Sequence, residues 1–436
     1  MKQKLISAIY ALVMVCLSAG LAVAQPVSLD IMGAGNRIIN VAIADPIADG
    51  GRDAPANGPK LDALIRENLS FLPFVRLIDR NAILGGSKLA SYKMPGIDFK
   101  PFTLAGSQLV ITAGWTDGST VEMRVYEPTT GQLVFGKSYS DVQEKLLPKV
   151  ADRFCAEFMK SLVGNGDFFL STLAFIKSSG KDRHLWLVRP TGRELRQINN
   201  MPGLSMSPSW SPDARFVIFT HIDDRTHALA VWDRMTQQTQ RVKFPGNTII
   251  GPAFLPDNRV AVSLAMQGYP NIYLLDRSFK RDRVLESSGG IDVSPSFDAT
   301  GTKMVFTSSR LGNPHVFLKN LSTGQVTRVS QDGKYNTDPS ISPDGTLVAY
   351  ARMVGSGQHR IFVHDLLTGM ERQVTFGPGS DEQPAFAPDS YFIAFMSTRS
   401  GQPQIYLTTR HGGDAKRVPT GNGDARFPAW GMIPDQ

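Results

Sequence analysis

The 436 residues contain only two cysteines, Cys16 and Cys155. Cys16 lies in an N-terminal leader, so the remaining chain can form no internal disulfide and must draw its stability from packing. Beyond residue 21 no apolar run approaches the ~20 residues of a membrane-spanning helix. Basic residues never cluster in a block with interleaved aromatics, which speaks against nucleic acid. Catalytic signatures are also missing. The nearest approach to Gly-x-Ser-x-Gly, Gly203-Leu204-Ser205-Met206-Ser207, breaks the pattern. There is no His-Glu-x-x-His, no Cys-x-x-Cys and no Gly-rich loop leading into a helix.

Residues 1–24 read as a signal peptide. Lys2 and Lys4 form a basic start, Leu5 to Leu21 is almost uncharged and apolar, and Ala22-Val23-Ala24 is a small-x-small cleavage site. Cleavage is expected between Ala24 and Gln25; Met14 and Val15 are poor lipobox residues ahead of Cys16. Loss of Lys2 and Lys4 lowers the formal charge from +7 to about +5, spread over the chain.

The second half repeats. Pro208, Pro252, Pro295, Pro339, Pro384 and Pro428 recur every 43 to 45 residues, in the phrases Ser-Pro-Ser-Trp, Gly-Pro-Ala-Phe, Ser-Pro-Ser-Phe, Asp-Pro-Ser-Ile, Gln-Pro-Ala-Phe and Phe-Pro-Ala-Trp. A period in the low forties with short strands is that of β-propeller blades. Turns such as Ser-Pro-Asp at 211–213 and Ser-Pro-Asp-Gly at 342–345 lead into apolar strands; a third apolar strand and a polar fourth strand follow. The first repeat, near 170–200, has no proline phrase before it, and the last phrase has no strands after it. The expected solution is six blades in a ring, with the C-terminal strand completing the first blade. An open solenoid of the same repeats is the alternative.

Residues 38–163 lack the period and read as a small mixed α/β domain. Strands are expected at Ile38–Ala44, Val75–Ile78, Leu109–Ala113, Val121–Tyr126 and Leu133–Tyr139, with helices at Lys60–Leu72 and Val142–Leu162. Residues 164–167, Gly-Asn-Gly-Asp, read as the linker to a propeller spanning 168–436. Residues 25–37 form a tail, either a frayed terminus or a strand-like docking peptide.

Asp213, Asp257, Asp344 and Asp389 follow turn prolines and read as turn residues, with a ring of channel carboxylates as the sharper alternative. His221 and His227 could ligate a metal, although surface histidines are the commoner case; no metal or cofactor is expected. The residues just before each proline are more informative. Ser205, Met206, Thr248, Ile250, Gly251, Val293, Ser294, Thr337, Asp338, Glu382 and Arg426 vary within a constant frame. They are expected in loops around one mouth of the axial channel, as a protein-binding rim or as loop drift.

Four segments carry a resemblance over essentially the whole chain: Ser-Pro-Ser-Trp-Ser-Pro-Asp at 207–213, Phe-Thr-Ser-Ser-Arg at 306–310, Met-Ser-Thr-Arg-Ser-Gly at 396–401 and Arg-Phe-Pro-Ala-Trp at 426–430. With the leader and the N-terminal domain, the chain resembles the TolB family of the Tol–Pal system. The resemblance implies a non-enzymatic, monomeric periplasmic adaptor of a Gram-negative bacterium. It implies partners in the outer-membrane lipoprotein Pal and the inner-membrane TolA, TolQ and TolR, and further outer-membrane or periplasmic proteins, for outer-membrane invagination at division and envelope integrity. Pal would dock on the rim residues. TolA would bind the tail through Gln25, Pro26, Val27, Leu29 and Ile31. One departure stands out: the last phrase continues Trp430-Gly431-Met432 where the family phrase reads Trp-Ser-Pro. The alternative to the adaptor is a propeller enzyme or small-ligand binder using the channel.

Overall fold

The computed structural model describes residues 38–433, apart from 224–225, 245–247, 266–267 and 356. The leader, the cleavage site and the tail residues Gln25, Pro26, Val27, Leu29 and Ile31 lie outside the described residues. Among the described residues no helix is long and apolar enough to cross a membrane.

The N-terminal α/β domain is built on a mixed sheet. Ile39–Ile43 is flanked in parallel by Val75–Leu77 and Leu109–Trp115. Val121–Glu127 and Gln132–Tyr139 extend the sheet antiparallel. Helices Asn57–Ser70 and Leu147–Val163 bury one face through Leu61, Ile65, Leu69, Phe154 and Phe158. The other face is covered by Ile83, Leu89, Tyr92, Phe99 and Phe102 from the long segment after Val75–Leu77. The expected helix over Val142–Leu162 is shorter at its start. A 3-10 turn occupies Glu144–Leu146, and the helix begins at Leu147 with Pro148 in its first turn. Proline favours that place because its missing N–H would have no partner there.

Residues 164–170 are packed rather than free. Gly164 ends the helix with φ 86. A Cβ on Gly166 would lie 1.9 Å from the Ala156 carbonyl oxygen, so only glycine fits. Asp167–Leu170 forms a helical turn whose Phe168 stacks on Phe392, ring centres 4.1 Å apart.

Six blades follow. Blade 1 joins Ala425–Gly431 to Thr172–Ser179, Asp182–Val188 and Arg196–Gln197. Ala425–Gly431 pairs antiparallel with Thr172–Ser179, so the C-terminus supplies the innermost strand of the first blade and closes the ring. The innermost strands of blades 2 to 6 are Leu204–Trp210, Thr248–Phe254, Asp292–Phe297, Asn336–Ile341 and Asp381–Phe386. Between blades the core is apolar, for example Ile218, Leu229, Val260 and Leu264 between blades 2 and 3. The serine after the proline ties neighbours together. Ser209, Ser296 and Ser340 hydroxyls accept the backbone N–H of Phe254, Ile341 and Phe386 at 3.2, 3.2 and 3.0 Å.

The N-terminal domain sits on the face formed by the turns between strands one and two and between strands three and four. Phe74 meets Tyr391 of blade 6 edge-on, with ring centres 5.7 Å apart, and Arg193 of blade 1 pairs with Asp152. The innermost strands start on the opposite, distal face.

Candidate functional site

Each innermost strand carries a β-bulge at its proline. The register slips between Met206 and Ser209, Ile250 and Ala253, Val293 and Ser296, Thr337 and Ser340, Glu382 and Ala385, and Arg426 and Ala429. The residue before the proline has a left-handed backbone in all six blades, with φ of 52 to 56° at Ser207, Gly251, Ser294, Asp338, Gln383 and Phe427. Proline supplies no N–H to the ladder, and a bulge is where a strand tolerates that loss. These six residues and their prolines line a waist of about 150 Å³ on the channel axis.

The rim expectation therefore changes in place. The pre-proline residues lie within the strands, at the bulge, rather than in loops entering them. Gly251, Ser294 and Asp338 belong to the waist. Ser207, Gln383 and Phe427 complete it and were missing from the predicted set, although each occupies the same position in its phrase. Met206, Ile250, Val293, Thr337, Glu382 and Arg426 form the next layer toward the distal face, all half-buried. Thr248 begins its strand and is also half-buried. Ser205 is fully buried beneath the mouth, its hydroxyl 3.3 Å from His221 Nδ1.

The layer before the waist is divided. Blades 2 to 4 present Met206, Ile250 and Val293; blades 5, 6 and 1 present Thr337, Glu382 and Arg426. Glu382 accepts the Ser380 hydroxyl at 2.8 Å and lies 3.7 Å from His359 Nδ1. Arg426 reaches Asp424 at 3.5 Å, while its Nε is buried without a partner. In the waist the Gln383 side chain accepts the Phe427 N–H at 2.8 Å. Toward the N-terminal domain the channel widens into a cavity of about 320 Å³, walled in part by Trp210, Phe254, Phe297, Phe386 and Trp430.

Burial, and secondarily the Glu382 carboxylate, push the Asp338 carboxyl up to about 6, against the Gln383 N–H that it accepts. The folded chain then keeps a proton that the unfolded chain releases from about pH 4 upward. Stability contributed by this group is present below that window and lost as the pH rises through 6. Asp338→Asn keeps the acceptor and suits a left-handed backbone. It is expected to stabilise the fold by about 1–2 kcal/mol at pH 8 and to change nothing at pH 4, in urea titrations at the two values.

Other predicted groups have structural partners. His221 Nε2 lies 3.1 Å from the Pro202 carbonyl, and burial lowers its pKa. His221 pairs across the sheet with Ala228, and His227 with Ile222, so the two histidines are out of step and on opposite faces. Among the described residues no three His, Cys, Asp or Glu side chains gather at metal-binding distance. The turn aspartates accept local N–H groups: Asp213 from Arg215, Asp257 from Arg259, Asp344 from Thr346 and Asp389 from Tyr391 and Phe392. The Ser-x-Arg motifs of blades 4 and 6, Ser308-Ser309-Arg310 and Ser397-Thr398-Arg399, also have an internal role. Arg310 and Arg399 pair with the fully buried Asp292 and Asp381 at 3.3 and 3.0 Å.

The TolB β-propeller family model matches residues 159–434. The Tol–Pal system protein TolB of Nitratidesulfovibrio vulgaris is 61% identical over 303 residues, covering 68% of this chain and 69% of that protein. A TolB homologue of Chlorobium luteolum is 31% identical over 92% of this chain and 91% of its own. The crystal structure of TolB from Acinetobacter baumannii shares the fold, with a TM-score of 0.79 and 20% identity over 90% of this chain and 96% of that one. The matched propeller repeats and these relatives show what the six closed blades and the α/β domain belong to: the chain is a member of the TolB family, a non-enzymatic component of the Tol–Pal system.

Proposed function

We propose that this protein is a periplasmic adaptor that joins the outer-membrane lipoprotein Pal to the inner-membrane TolA, TolQ and TolR proteins, in outer-membrane invagination at division and in envelope integrity. The observation that carries the reading is the distal channel mouth. Each blade contributes one half-buried residue to the layer just before the waist, the six differ in size and charge, and the N-terminal domain lies on the other face. A mouth with an apolar half and a charged half suits a protein loop better than a symmetric ion or a reacting small molecule. Pal docks at this mouth, and the tail from Gln25 to Asn36 binds TolA.

The test is binding of mature protein, residues 25–436, to the periplasmic domain of Pal. Glu382→Lys and Arg426→Glu are expected to weaken it about tenfold or more each, roughly 1.4 kcal/mol, with an unchanged circular dichroism spectrum. Unchanged affinity in both would place the partner elsewhere. Gly251 is a poor probe, because its φ is +52° and a Cβ there would lie 3.2 Å from the Ser294 Cα, so any side chain strains the ring itself. Deletion of residues 25–36 is expected to abolish TolA capture and spare Pal binding; loss of both with the fold intact would refute two separate sites.

A further inference from the structure

In blades 4 and 5 a leucine in the turn between strands three and four helps fill the gap to the preceding blade. The turns are anchored by Asn320 and Asp365, whose carbonyls accept the N–H of Gly324 and Gly369. The next residues, Leu321 and Leu366, pack into the apolar clusters between blades 3 and 4 and between blades 4 and 5. Blade 3 builds the same turn one residue shorter. Asp276 is the anchor: its carbonyl accepts the Phe279 N–H at 3.0 Å and its carboxylate the Ser278 N–H at 2.8 Å. The residue after it is Arg277. Between blades 2 and 3, where a leucine plug would sit, there is a cavity of about 600 Å³, larger than either cavity on the channel axis. Small-ligand sites span about 300–1,000 Å³.

Its floor is apolar: Phe216, Val231, Phe254, Val260 and Phe279. Phe279 holds φ +58°, the left-handed slot that Gly324 and Gly369 occupy in blades 4 and 5. A bulky residue is disfavoured in that conformation, yet the chain keeps an aromatic wall. The rim supplies both kinds of hydrogen-bonding group. Asp233 and Asp257 are paired with Arg215 and Arg259 at 3.0 and 2.7 Å. Asp213 and Asp276 each use one carboxylate oxygen in their own turn. The Gln238, Gln240 and Arg277 side chains line the same space and make no bond among the described residues.

We propose that this cleft binds a saccharide of one or two rings. The apolar C–H face of a sugar lies on phenylalanine, and its hydroxyls meet carboxylate acceptors and amide or guanidinium donors together. A simple organic cation would use the acceptors alone and would face Arg277. An anion would meet four aspartates. The site lies between blades 2 and 3, off the channel axis, and does not depend on the Pal reading.

The test is isothermal titration of the mature chain with N,N′-diacetylchitobiose and with maltose, beside 4-phenylbutylamine as a cationic probe. At least one disaccharide is expected to bind saturably. Arg277→Leu, which restores the plug of blades 4 and 5, is expected to weaken that binding about tenfold or more while leaving the thermal midpoint unchanged or higher. Phe279→Gly removes the wall and eases the turn, and should lose binding in a folded protein. The proposal is overturned if neither sugar binds, if the amine binds and the sugars do not, or if sugar binding survives Arg277→Leu or Phe279→Gly.

Discussion

Asp152→Ala is expected to destabilise the protein by about 3–5 kcal/mol and to split its urea unfolding into two transitions. Asp152 stands on the helix Leu147–Val163 and is 5% exposed. It accepts the Asn68 side-chain N–H at 2.9 Å and an Arg189 N–H at 3.3 Å, and forms a direct ion pair with Arg193. Both arginines come from the turn that ends the third strand of blade 1. Arg189 also donates to the carbonyls of Phe169, Leu170 and Ser171 in the segment joining the two domains. Burial pushes the Asp152 carboxyl upward and its arginines pull it down, with burial the larger effect. The carboxylate is therefore costly to place, and its removal is costlier, because two partly buried guanidinium groups lose their counter-charge. Circular dichroism and tryptophan fluorescence should cease to coincide during denaturation. If they still coincide at the parental midpoint, the apolar contacts of Phe74 with Tyr391 and Phe168 with Phe392 hold the domains together by themselves.

A chain ending at Asp424 is expected to yield no cooperatively folded monomer. It lacks Ala425–Gly431, which leaves Thr172–Ser179 as an unpaired apolar edge at the channel, a template for association. It also loses the joint to blade 6, where Phe427 N–H bonds to Gln383 and Trp430 Nε1 donates to the Ala385 carbonyl at 3.0 Å. Size-exclusion chromatography should show aggregates; a monomer with a parental melting curve would mean that the ring does not depend on its seal. A single substitution probes the same seal more gently. A Cβ on Gly431 would lie 2.4 Å from the Trp210 ring, which is itself buried. Gly431→Val should therefore cost about 1–3 kcal/mol by overpacking, and should shift tryptophan fluorescence. The same contact leaves no room for the serine that follows Trp210 in the Trp-Ser-Pro phrase of blade 2.

Much of the architecture was legible because a propeller writes its period into the chain. Proline cannot stand inside a regular ladder, so six prolines at a fixed spacing require six equivalent interruptions. The offset between phrases and strands already implied closure. The bulge itself was not legible. Gly251 betrays a left-handed backbone, but Ser207, Asp338, Gln383 and Phe427 do not, since their strain is held by the blades on either side. Ser205 read as a rim residue because it stands just before Pro208, whereas its side chain turns inward, fully buried beside His221, sixteen residues away. The helix start at Leu147 was misplaced because the apolar pattern continues through a 3-10 turn that only Pro148 qualifies.

By itself the sequence determined the number of blades and their closure, which depend on local periodicity and turn chemistry, and the α/β domain before them, which depends on local apolar patterning; the family entered through the resemblance of four short segments. Tertiary structure alone decided which residues meet on the axis, how Asp152 ties the domain to blade 1, and where a missing leucine leaves a cleft. Those features arise between blades, from side chains tens to hundreds of residues apart, and no local pattern records such a contact.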